Sequence, residues 1–179
     1  NNILDNYTKQ IFNKSSTKGS IVNAETKSKY NTRFTYHKKT EFRDIKSANI
    51  ITELDTIIGD KRFLELTISS ERKLNKLEFI THKKLLLHQF KVNNTLVNNG
   101  NTYEKKKGTF LVYHLANQDK KVTLSFSVAK EYNFDIVVNQ ISYDLLDNNN
   151  FTITPRTEKM MPMPFVTNDA IIISKKLNL

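Results

Sequence analysis

The sequence predicts an all-β protein, an antiparallel β-sandwich of jelly-roll or immunoglobulin-like type with a short helix near the N-terminus. Three observations carry this. Residues 121–128 alternate, with Val122, Leu124, Phe126 and Val128 on one face and Lys121, Thr123, Ser125 and Ser127 on the other, the period of a strand buried on one side. Several segments of this kind, from 62 to 143, are separated by short polar turns, the spacing of a sandwich or small barrel. Ile, Leu and Val carry the aliphatic content, Phe and Tyr supply bulk without Trp, and Asn, Thr, Ser and Lys fill the remainder, which suits strands and turns better than helices.

Taken in order, residues 1–30 form a polar N-terminal arm or linker, and 31–179 form the sandwich domain. Within the arm, Leu4, Tyr7, Ile11 and Phe12 are spaced for a brief helix with Asp5 at its start, marginal unless it lies against something. Residues 49–58 read as an extended segment ending at a Gly59-Asp60 turn. Residues 62–68 place Leu64, Leu66 and Ile68 inward, with Glu65 and Thr67 outward; 76–81 form the next strand, and the His82-Lys-Lys84 turn leads into 85–92. Residues 93–101 are an Asn-rich turn cluster, and 105–108 are a lysine loop. Strands at 110–115, 121–128 and 134–143 follow. In the last, Phe134, Ile136 and Val138 share one phase while Ile141 and Tyr143 take the other, so a β-bulge is expected near Asn139-Gln140. Short linkers imply antiparallel neighbours, and 170–174 read as a final buried strand.

At 179 residues the chain holds one ordinary domain plus an arm. Cysteine is absent, which removes disulfides, thiolate catalysis and Cys-based zinc sites. No stretch approaches the roughly 20 apolar residues that span a bilayer as a helix. The chain does not begin with Met, so a segment of a longer protein is expected. The net charge of +10 raises the question of nucleic acid or an anionic membrane. The lysines are scattered along the sequence and lack interleaved arginines and stacking aromatics, a pattern read as a solvated surface that blunts sheet edges.

Residues with catalytic chemistry do not converge. His37, His82, His88 and His114 form no His-x-His or His-x-x-x-His pair, and His88 and His114, within strands, are read as packed or hydrogen-bonded. Glu65 and Glu78 are placed on adjacent strands, facing outward and pairing with lysines. Asp144 and Asp147 are read as turn caps. No Gly-x-Ser-x-Gly elbow or phosphate-cradling loop is present. Catalytic and metal-ligating residues are therefore expected to be none.

The tail differs. In the run Met160-Met-Pro-Met-Pro-Phe165, Pro162 and Pro164 hold Met161 and Met163 extended. This ribbon either covers an open sheet edge or the mouth of the sandwich core, or serves as a docking surface, since Met-rich patches adapt to partners. Phe151, Arg156, Met160, Met161, Met163 and Phe165 form the candidate partner-contact surface.

The tail, continuing through Val166-Thr-Asn-Asp169, resembles the C-terminal β-rich domain of bacterial membrane-embedded M28-family zinc aminopeptidases, relatives of the endoplasmic reticulum metallopeptidases. Supporting blocks are Phe63-Leu-Glu-Leu-Thr-Ile-Ser69 with Lys76-Leu-Glu-Phe-Ile80, Phe90-Lys-Val-Asn-Asn94, and residues 110–146 before the 155–173 tail. The likeness covers about the last two-thirds of the chain, and the tail is its more specific part. It implies a non-catalytic accessory domain of a metallopeptidase, on the periplasmic side and anchored by membrane segments outside this chain. Its partner would be the peptidase domain of the same polypeptide or a second copy. Zinc would belong to that peptidase domain, whose ligands have no counterpart here, so no cofactor is expected in this segment. Two alternatives stay open: a carbohydrate-binding or adhesin-like sandwich using Tyr103, Tyr113, Tyr132 and Tyr143, and a basic nucleic-acid-binding barrel.

Overall fold

A computed structural model of the chain describes residues 5–12, 17–18, 36–116, 121–162, 167–177 and 179. The chain divides into two compact units: Asn1–Asp44 with Tyr143–Ala170, and Ile45–Ser142 with Ile171–Leu179. The first contains helix α1 (Asn6–Ile11) and a minimal antiparallel pair, β1 (Thr17–Lys18) with β2 (Tyr36–His37). As the sequence predicts, Asp5 caps α1, its carboxylate accepting from the Thr8 backbone N–H at 2.7 Å. In the same unit the Phe12 and Tyr36 rings lie 6.1 Å apart.

The second unit is the sandwich. Its strands are β3 (Asn49–Ile58), β4 (Lys61–Ser69), β5 (Lys76–Thr81), β6 (Leu85–Val92), β7 (Thr95–Leu96), β8 (Tyr103–Lys105), β9 (Gly108–His114), β10 (Lys121–Ala129), β11 (Ile136–Ser142) and β12 (Ile171–Leu177). One sheet runs β3-β4-β10-β6-β7, with β8 also paired to β6; the other runs β12-β11-β5-β9. Every pairing is antiparallel. Consecutive strands often change sheets. The connection 69–75 carries the chain from β4 in the first sheet to β5 in the second, so Glu65 and Glu78 do not sit on adjacent strands as expected.

The two inner faces enclose one core. Leu64, Leu66 and Ile68 of β4, Val122, Leu124 and Val128 of β10, Leu77 and Phe79 of β5, and Ile136 and Val138 of β11 belong to a single buried cluster. Aromatic rings link the layers. Phe90 of β6 meets Phe126 edge-on at 6.2 Å, Tyr103 at 5.9 Å and Phe110 of the opposite sheet at 6.5 Å, and Phe110 meets Phe79 at 6.0 Å, separations at which ring pairs attract beyond their buried area.

The bulge lies elsewhere than predicted. Pairing of β11 is unbroken with both β5 and β12. Its apparent phase change arises because Asn139, Gln140, Ile141 and Ser142 are all buried. Hydrogen bonds make the polar ones tolerable: the Ala48 N–H donates to Gln140 Oε1 at 2.5 Å, Ser174 Oγ donates to Asn139 Oδ1 at 2.6 Å, and Arg72 Nη1 donates to Ser142 Oγ. Register shifts occur instead in the β3–β4 pairing between Thr52 and Leu54, in the β5–β9 pairing between Phe79 and Ile80, and in β6, where Gln89 takes φ +49° and the register with β10 shifts between Ser125 and Ser127. The β6 irregularity turns burial from Leu85 and Leu87 to Phe90 and Val92. The last strand, β12, begins at Ile171 and is an edge; Ile171 and Leu177 are buried while Ile172 and 174–176 are exposed, so the buried strand expected at 170–174 is a strand buried only at its ends.

Asparagine shapes the turns. Asn93 and Asn94, at φ +47° and +64°, form the two-residue link between β6 and β7, the mirror-image turn that suits strand twist.

Phe90 is fully buried at the centre of the ring cluster. Phe90→Ala should therefore cost about 3–5 kcal/mol, read as a lower urea midpoint at unchanged slope. Loss of less than about 1 kcal/mol would show that the core collapses around the gap.

Candidate functional site

The tail residues singled out from the sequence fall in the unit formed by Asn1–Asp44 and Tyr143–Ala170. Phe151, Arg156 and Met160 are half-buried, and Met161 is 88% exposed. Met163 and Phe165 lie outside the described residues. A turn precedes the ribbon, with the Met160 N–H donating to the Thr157 carbonyl at 2.9 Å.

Arg156 is the structural hinge of this group. Its guanidinium lies 4.1 Å from the centre of the Tyr7 ring, a cation–π contact, and Nη1 donates to Asp169 Oδ2. The other carboxylate oxygen accepts from Tyr7 Oη at 2.7 Å. Around this latch, Gln10 Nε2 donates to the Thr154 carbonyl and Gln10 Oε1 accepts from the Thr154 N–H, each at 2.9 Å. Helix α1 thus has the surface it needs. Asp169 sits at φ +49°, a backbone region that Asp tolerates better than most residues.

Burial pushes the Tyr7 hydroxyl up to about 12, reinforced by its bond to Asp169. Burial also pushes the Asp169 carboxyl upward, but hydrogen bonds from Arg156 and Tyr7, with the Arg156 charge, outweigh it and hold the group below its ordinary 3.8. Arg156 is correspondingly raised, first by its bond to Asp169. The three groups together carry no net charge, one cation balancing one carboxylate.

Several other titratable residues are tied to the fold. Arg62 grips Asp55 through Nε at 2.7 Å and Nη2 at 2.5 Å, a cross-strand clasp between β3 and β4. Lys76 Nζ lies 2.8 Å from Glu78 Oε1, both side chains largely buried. His88 Nδ1 is 3.1 Å from Thr102 Oγ1, the hydrogen-bonded role expected of it. Asp144 accepts from Asn148 within its turn. Among the described residues no three His, Asp or Glu side chains converge as a metal site would require.

Of the four tyrosines considered as a sugar platform, Tyr103 donates to the Phe110 carbonyl at 2.8 Å and Tyr132 to the Lys84 carbonyl at 2.9 Å, while the Tyr113 hydroxyl accepts from Asn93 at 2.8 Å. All three pack against the core; Tyr143 is 48% exposed. Tyr103, Tyr113 and Tyr132 thus have their rings on the core and their hydroxyls engaged. A cleft of about 400 Å³ opens at the end of the sandwich holding Ser69 and Ser70, lined by Ile68, Arg72, Leu74, Leu77 and Leu115. Arg72 is drawn to one side of it by Ser142.

The sequence singles out Arg156 as a contact residue and gives no sign of its pairing with Tyr7 and Asp169. Tyr7 and Asp169 are 162 positions apart, and no local spacing signals such a pair. Arg156→Ala should speed amide exchange in 150–170 by about 10- to 100-fold, the worth of charged hydrogen bonds of about 1.5–3 kcal/mol. Unchanged exchange would show the latch to be inert. Because the folded Asp169 value is the depressed one, its contribution is complete above 3.8 and is lost as pH falls through the lowered value. Asp169→Asn should remove that acid dependence.

Comparison of the chain with family models, curated proteins and solved structures returns no match.

Proposed function

We propose that this chain is a non-catalytic accessory module of a membrane-anchored, M28-like zinc aminopeptidase, placed on the periplasmic side and packing against the peptidase domain of the same polypeptide. The tail motif from Met160 to Asp169 and the strand blocks before it support the family, and an all-β antiparallel architecture is what that resemblance implies.

One observation carries the accessory role. The side chains that could do chemistry are used as fasteners: Arg62 with Asp55, Lys76 with Glu78, and Tyr7 with Arg156 and Asp169. The same latch fixes Arg156, five residues before Met161, which is exposed to solvent. An exposed, adaptable thioether on an anchored ribbon suits a contact made with another folded surface. The module's work is then to shape access to a reaction centre that lies on other polypeptide.

Met161→Ser tests the contact. The isolated chain should melt unchanged, because the side chain is already solvated, while the complete peptidase should show a several-fold change in kcat/KM. No change in the complete enzyme would remove Met161 from the interface. Stoichiometric zinc on the isolated chain, or hydrolysis of aminoacyl substrates by it, would overturn the accessory reading itself.

A further inference from the structure

The lysines that look scattered in sequence converge at one end of the sandwich. Lys61 opens β4 opposite Ala129, and the next residue, Lys130, donates its N–H to the Asp60 carbonyl at 3.0 Å. Leu85 pairs with Lys105 and Thr81 with Gly108, so the 82–84 and 105–108 turns lie together. The His82 N–H donates to the Asp135 carbonyl and Tyr132 Oη to the Lys84 carbonyl, which brings in the 130–135 loop. With strands about 4.8 Å apart, the β3–β4 and β8–β9 turns are separated by roughly 15 Å along the sheet.

Charge at this end is unbalanced. Glu104, Glu131 and Asp135 are taken by Lys84, Lys130 and Lys176. Among the described residues, Lys61, Lys83, Lys105, Lys106 and Lys107 form no ion pair, and Asp60 is the carboxylate beside them.

Beside the lysines, the β3–β4 hairpin carries an apolar tip. Ile57 and Ile58 are 57% and 65% exposed. Successive strand residues point to opposite faces, so both can be exposed only where neither face is covered. Gly59, at φ +62°, makes the tight turn that lets the pair protrude.

We infer that this end of the sandwich is a docking surface for an anionic lipid bilayer, with the lysines meeting headgroup phosphates and the Ile57-Ile58 tip entering the interface. Lysine is a compact point charge suited to a diffuse anionic surface rather than to bidentate reading of a partner. The solvated isoleucines gain from leaving water at a bilayer and gain nothing from a nucleic-acid backbone. The aromatics at this end, Tyr103 and Tyr132, are packed against the core rather than laid out as a platform on which bases stack. The surface is defined by the sandwich alone and stands whichever polypeptide carries it.

The test is co-sedimentation of the chain with phosphatidylcholine vesicles containing about one-third phosphatidylserine. Binding should exceed that to pure phosphatidylcholine and weaken with salt. Replacing Lys105, Lys106 and Lys107 by Gln should reduce partitioning about fivefold per lysine, on the order of a hundredfold together. The chain has no Trp, so Ile58→Trp is a clean reporter whose emission should shift to the blue on anionic vesicles. Circular dichroism of each variant checks that the fold is kept. No binding at low salt, or no emission shift on binding, would overturn the bilayer assignment. So would tighter binding to duplex DNA at equal salt with no effect of Ile58→Ser.

Discussion

The structure depends on one contact, the burial of Phe90 between two sheets that share a single interior. The Phe90 ring bridges Phe126 on its own sheet and Phe110 on the other. It can do so only because Gln89 leaves the regular strand conformation and turns the following residues inward. Two amphipathic sheets cannot each remain in water with an apolar face exposed, so closing them on each other decides which strand ends meet. The positions of the charged turns follow from that closure.

Charge in this protein is divided between two uses. Partly buried pairs such as Lys76–Glu78 and Arg156–Asp169 have low exposure and resist screening, whereas an exposed pair such as Lys46–Glu71 is screened by water and salt and does little to hold the fold. The first kind orients chain segments. The lysines left over gather where four turns converge, and there the surplus acts on the surroundings as a field. The same composition spread evenly over the surface would have neither effect.

How much could be read from the residues differs by element. The strand limits at 49–58, 76–81 and 85–92 and the inward set Leu64, Leu66, Ile68, Val122, Leu124, Phe126 and Val128 were legible, because a period of two is written locally. The phase switch in β6 was also present, as Leu85 and Leu87 against Phe90 and Val92. The similar pattern in β11 pointed to a bulge that does not exist. Burial of Gln140 and Ser142 by hydrogen bonds to Ala48 and Arg72 cannot be told from solvation by counting apolar residues. Glu65 and Glu78 were placed side by side since chain neighbours were taken for sheet neighbours.

By itself, then, the amino-acid order determined the strand periodicity, the turn positions and the absence of any thiol chemistry, all properties set within a few consecutive residues. Only the tertiary structure decided that β4 and β5 belong to opposite layers, that Tyr7 closes on Asp169 across 162 positions, and that lysines from separate turns share one end. These depend on which sheets pack together, and packing is a collective minimum of the whole chain that no short window of residues encodes.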